Sequence, residues 1–276
     1  MKQFDVKEHE PSLLPEGFDW KLVWSDEFDG IELDRTKWDY RLSMMGKPHP
    51  AWTDQGVQLD GKSNAVFTLL EKDGRPVSSQ LQTGYNFMDE PVKETMFGND
   101  HLQWPIGKLK ENLYTHRFGY YECRCRLQTK PGWWSAFWIQ SPIIGASLDS
   151  AYTGTEIDIM ECFVPGTIAA HNAFSGGYGR DMQNIRAGGV ENLDDGYHRF
   201  GLLWDETGYT FYIDGTEDGH IDGLVSRCPE FILISTEPKG YRDASHEPRK
   251  EAYESIGDTF TVDYVRVFDK RNSEDI

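Results

Sequence analysis

The chain has 276 residues, with 28 basic against 46 acidic side chains and a net charge of −18. That balance argues against nucleic acid as a partner, and no run of about 20 apolar residues exists to span a membrane. The 9 Trp, 13 Tyr and 15 Phe suit a large core with rings left for sugar stacking, and 27 Gly and 13 Pro suit many turns.

Residues 1–17 carry charges and two prolines with little periodicity, and read as an extended lead-in. The start has no apolar signal region. A secreted, periplasmic or cell-surface protein whose leader is absent from this sequence is expected, with a cytoplasmic one left open. From Trp20-Lys21-Leu22-Val23-Trp24 onward, short alternating runs recur between turn residues. Ala65 to Glu71 precedes Asp73-Gly74-Arg75-Pro76, and Tyr120 to Thr129 precedes Lys130-Pro131-Gly132. Asp214-Gly215 after Phe211-Tyr212-Ile213 signals a tight hairpin. The end, Thr259 to Phe268, alternates cleanly.

No long amphipathic helix, repeat or linker interrupts this pattern. Regular short strands of this kind build an all-β sandwich or barrel, here one domain over residues 18–276. Stretches 43–62, 84–113, 141–155, 175–196 and 235–258 read as long loops around a cleft. Cys123 and Cys125 share a strand face and read as buried thiols; a Cys162–Cys228 disulfide is left open.

The densest chemistry lies in Glu156-Ile157-Asp158-Ile159-Met160-Glu161. On a strand, Glu156 and Asp158 share a face while Ile157 and Ile159 point into the core. Glu161 is out of step, because Ile159 and Met160 are adjacent and both apolar. A β-bulge with Met160 as the extra residue returns Glu161 to the face of the other two. Clustered carboxylates repel and raise one another's pKa values, a cost to stability. An acidic strand edge or a calcium site is the bland reading, although calcium sites draw on Gly- and Asn-rich loops rather than Ile and Met. The functional reading is a nucleophile and general acid for glycoside hydrolysis, separated in pKa by the carboxylate between them.

Just before this stretch, Trp133-Trp134-Ser135-Ala136-Phe137-Trp138 packs bulky rings around small residues. They cannot all face one side. Trp133, Trp134 and Trp138 are the substrate-stacking candidates, with one or two in the groove and the rest in the core. After it, His171 and Asn172 lie on the next strand-like run, where His171 either reaches the cleft or serves the core. Phe174 to Gly189, with the Gly-rich Gly176 to Asp181 inside it, reads as neither strand nor helix, and part of it is expected at the rim. Arg180 within it would meet a sulfate or acidic sugar, or form a surface ion pair. Glu237, after Phe231 to Thr236, is a further cleft candidate.

Taken together, these pieces resemble glycoside hydrolase family 16. The E-x-D-x-x-E motif of Glu156, Asp158 and Glu161 is flanked in order by Val23 to Gly30, Tyr120 to Trp138, Tyr197 to Phe200 with Leu203-Trp204, and Val262 to Val267. The resemblance covers roughly residues 18–269. It implies a β-jelly-roll sandwich of two curved antiparallel sheets with an open cleft on the concave face. It further implies Glu156 as nucleophile, Glu161 as acid/base and Asp158 as their support. The bulged form of the motif implies the laminarinase/agarase-like branch. The implied activity is endo-acting, retaining hydrolysis of a β-1,3-glucan or β-galactan polysaccharide, with a transglycosylase or a non-catalytic sugar-binding jelly roll as alternatives. No cofactor is implied for the chemistry. One structural calcium is implied at Glu27, the Gly61 backbone and Asp263. A monomer is expected.

Overall fold

The structure is a computed structural model that describes residues 1–90, 95–97, 102–105, 107–176 and 181–271. Two antiparallel sheets dominate it. One has seven strands in the order Gln183–Ala187, His171–Ser175, Glu156–Cys162, Trp133–Gln140, Phe231–Pro238, Gln80–Gln82 and Asp39–Tyr40. The other has eight, centred on Gly119–Arg126 and Thr259–Lys270, with Trp20–Asp26 paired to the latter. The strand pattern implies such an all-β sandwich, and the resemblance implies its jelly-roll form.

Alternation builds the core between the sheets. Phe137, Ile139, Ile157, Ile159, Met160, Ala173, Ile232 and Ile234 from the first sheet meet Tyr121, Cys123, Cys125, Phe200, Leu202, Val265 and Val267 from the second. Each sheet therefore buries one face. Cys123, Cys125 and Cys162 are buried, and all four cysteines are free thiols. Asp214 and Gly215 both adopt positive φ, at 49° and 79°, as a two-residue hairpin turn requires.

Several elements depart from the sequence reading, among them short strands at Ser43–Met44, Lys47–Pro48, Val57–Leu59, Thr95–Phe97 and Gln103–Pro105 inside stretches read as loops. The lead-in is not merely extended: Lys2–Phe4 pairs with Ser12–Leu14, and Leu14 packs on Trp20, Tyr120 and Phe268. Gln183–Ala187 is an edge strand within the stretch read as loop. Two short helices, Ser150–Thr153 and Lys250–Glu254, lie within others. Among the described residues no helix is long and apolar enough to cross a membrane.

Candidate active site

The Glu156–Cys162 strand lies between Trp133–Gln140 and His171–Ser175. Opposite Trp133–Gln140, Gln140 pairs with Glu156 and Trp138 with Asp158, but Phe137 then pairs with Met160. Ile159 has no residue opposite it. The extra residue is thus Ile159 by register, one position before the Met160 expected from the sequence. Ile159 and Met160 both stay buried, and Glu161 returns to the outer face.

Glu156, Asp158 and Glu161 line one cleft of about 530 Å³, together with Trp134, Trp138, Arg41, Asp89 and Arg242. A second lobe, about 280 Å³, shares the same three carboxyls and adds Ala169, Ala170, Asn172 and Arg186. The carboxyls therefore sit between two stretches of groove.

Their environments differ. Gln140 donates to Glu156 Oε2 at 2.6 Å, and Asn86 donates to Gln140 at 3.1 Å. Asn172 donates to Glu161 Oε2 at 3.1 Å. Burial, then the charge of Glu156, pushes Glu161 up to about 7. Asp158 is pushed well above the usual carboxylate range by burial first, then by the charges of Glu161 and Glu156. Arg242 opposes both shifts.

Side-chain parity sorts the aromatic candidates. Trp134 and Trp138 face the cleft with Ala136. Trp133 does not: it is fully buried between the sheets and donates its Nε1 to Asp258 Oδ2 at 2.9 Å. Glu237 is on the cleft side but only 1% exposed, bonded through both oxygens to Arg242 at 2.9 and 2.8 Å and to Trp52 Nε1 at 3.2 Å. It holds Arg242 over the Trp134 ring, 5.2 Å from the centroid, rather than opening to the groove itself. Asn172 faces the cleft. His171 does not; it is fully buried behind the sheet, stacked on Phe211 at 4.4 Å. Arg180 lies outside the described residues.

Arg242 and Arg41 escaped the sequence reading. Arg41 binds Asp89 Oδ2 through its Nε at 2.7 Å and lies 5.1 and 5.3 Å from the rings of Trp52 and Trp138. Nothing local in sequence marks either arginine, since each is brought to the cleft by its fold partner.

The residues expected to hold calcium do not fit that ion. Glu27 is gripped by Arg266 through both oxygens at 3.0 and 2.7 Å, and Asp263 is paired with Arg124. Both carboxylates are already matched by guanidinium groups. Among the described residues no cluster of three or more His, Cys, Asp or Glu would hold a metal.

The profile of Glycosyl hydrolases family 16 matches residues 106–221. The chain is 26% identical to glucan endo-1,3-beta-glucosidase A1 of Niallia circulans over 90% of its own length, and spans 37% of that relative's. It is 25% identical to beta-porphyranase E of Zobellia galactanivorans, covering 92% of this chain and 89% of that one. Its fold superposes on SCLam, a non-specific endo-beta-1,3(4)-glucanase, with a TM-score of 0.65 at 20% identity, covering 95% of each chain. The profile over residues 106–221, these relatives and the bulged three-carboxylate strand point the same way: the chain is similar to glycosyl hydrolases family 16, a family of glycosidases, and within it to the laminarinase/agarase-like branch.

Proposed function

We propose that the chain is an endo-acting hydrolase of a β-linked polysaccharide that works by double displacement with retained configuration. The observation that carries this reading is the outward return of Glu161 after the bulge, onto the face of Glu156 and Asp158. Glu156, held by Gln140, attacks the anomeric carbon as the carboxylate. Glu161 is the half-buried acid whose pKa of about 7 leaves about half of it protonated at neutral pH, and in that form it protonates the departing glycosidic oxygen. The glycosyl ester on Glu156 is then hydrolysed by a water that ionised Glu161 deprotonates. Asp158 keeps its proton more tightly than an ordinary carboxyl, which leaves the local negative charge to Glu156. No cofactor enters these steps.

Endo action is supported by the two groove lobes that meet at the carboxyls, since a polymer can then extend to either side. The relatives' names point to β-1,3-glucan and to porphyran. Within the cleft, Arg41 is matched by Asp89 and Arg242 by Glu237, so neither demands an anionic sugar. We favour a neutral β-1,3-glucan, with a β-galactan as the second substrate class. A polymer of this kind lies outside the cytoplasm, which favours a secreted, periplasmic or surface location. Residues 18–276 act as one catalytic domain, as a monomer.

The test is a screen of laminarin, mixed-linkage glucan, agarose, porphyran and carrageenan with product sizing, run beside Glu156→Gln. Oligosaccharides of mixed length from one of them, abolished in Glu156→Gln, support the reading; undiminished activity in Glu156→Gln overturns it.

A further inference from the structure

The bulge that brings Glu161 to the cleft needs a cause that holds it in register. The ladder between Glu156–Cys162 and His171–Ser175 pairs Glu156 with Phe174, Ile157 with Ala173 and Asp158 with Asn172, and then stops. One step further, Ile159 would face His171. Instead the His171 side chain takes over: its Nδ1 lies 2.8 Å from the Ile159 carbonyl. That carbonyl belongs to the residue with nothing opposite it in the other neighbouring strand.

The imidazole is itself fixed from three sides. Its Nε2 lies 3.1 Å from Asp218 Oδ2, and Gly189 donates its backbone N–H to the same oxygen at 2.6 Å. Its ring stacks on Phe211 with an interplanar angle of 6°. Gly188, at φ +60°, lies so close that a Cβ would collide with Asp218 and press on the imidazole. Asp218 is the charged group that faces the ring; Phe211, Ile159 and Gly188 are not ionisable. A carbonyl only accepts, so Nδ1 carries a proton whichever charge the ring has, and the link to Ile159 holds in both states.

We propose that His171 is a positioning residue, which by gripping the Ile159 carbonyl sets the bulge and so the placement of Glu161 beside Glu156. The inference rests on Glu161 as acid/base. A histidine that only filled the core would affect stability and leave the chemistry of the folded enzyme alone. One that sets the bulge governs Glu161 directly: with the bulge relaxed, Glu161 moves away from burial and from the charge of Glu156. Both of those effects raise its pKa, so both are lost together.

The experiment uses His171→Phe, which keeps a ring against Phe211 but has no donor, and His171→Gln, which keeps an N–H donor. Folding is checked by near-UV circular dichroism and Tm, and kcat, KM and the pH profile are measured on the polysaccharide found by the screen. In folded His171→Phe, kcat falls on the order of tenfold to a hundredfold, KM stays within about twofold, and the alkaline limb moves to lower pH. His171→Gln recovers most of the loss. An aryl glycoside with an acidic leaving group, which depends less on protonation by Glu161, suffers a smaller loss. Wild-type kcat and an unmoved limb in folded His171→Phe overturn the proposal. Should that variant fail to fold, Asp218→Asn carries the test, with a shift of the limb in the same direction expected and an unchanged profile contradicting it. Glu161→Gln is assayed alongside: if it keeps full activity on the polysaccharide, the acid/base reading has failed, independently of His171.

Discussion

Asn172 donates its side-chain amide to Glu161 Oε2 at 3.1 Å, so the carboxyl beyond the bulge is held by the strand beside it. That bond favours the ionised form and lowers the pKa of Glu161, against the larger raising effects of burial and Glu156. Asn172→Ala therefore raises the pKa of Glu161. The alkaline limb of kcat/KM, which reports loss of the acid's proton, moves above its wild-type position near pH 7, and kcat falls about tenfold. The direction is opposite to that expected for His171→Phe, so the two contacts separate in one set of pH profiles.

Adjacent tryptophans give opposite phenotypes. Trp134 lines the cleft, so Trp134→Ala raises KM by roughly threefold to tenfold with little change in Tm. Trp133 is fully buried, so Trp133→Ala costs about 3–5 kcal/mol of stability while KM of the folded fraction stays the same. Thermal unfolding and initial-rate kinetics check both.

A buried carboxyl behind the motif makes stability depend on pH. Glu230 is fully buried and accepts from the backbone N–H and hydroxyl of Thr155, the residue before Glu156, at 3.0 and 2.9 Å. Burial pushes it up to about 8. In the unfolded chain it ionises near pH 4.3, so the unfolded state releases its proton first. Its contribution to stability is complete below that value and is lost as pH rises to about 8. Glu230→Gln can keep the bonds to Thr155 without the titration. Its Tm declines less between pH 5 and 8 than the wild-type Tm does; parallel declines would contradict this.

Chelation tests the charged network that stands where calcium was expected. Arg266 is fully buried and binds Glu27, the Glu10 carbonyl at 2.7 Å and Ser12 Oγ at 2.9 Å. It thereby ties the lead-in hairpin to the second sheet. EDTA should leave Tm unchanged, whereas Arg266→Leu leaves Glu27 without its partner and costs about 3–5 kcal/mol.

The sandwich and the carboxyl face were legible in sequence because period-two alternation, and its break at Ile159-Met160, are written locally. The partners of that break were not. His171 reads equally as cleft or core, and only the pairing of Asp158 with Asn172 sends it inward. Trp133 and Trp134 look alike until register assigns them to opposite faces. Gln183–Ala187 is an edge strand whose residues are mostly exposed, so it carries no apolar alternation to detect. The three-residue strands of the lead-in are too short to show a period. Arg242 and Arg41 enter the site through Glu237 and Asp89, a carboxylate five residues away in one case and 48 in the other.

The anomeric configuration of the first product is the most direct test of Glu156 and Glu161 as nucleophile and acid/base across the bulged strand. Proton NMR of the reaction, recorded before mutarotation, should show the β-anomer of the new reducing end appearing first and the α-anomer growing in later. Initial appearance of the α-anomer would contradict double displacement at this site.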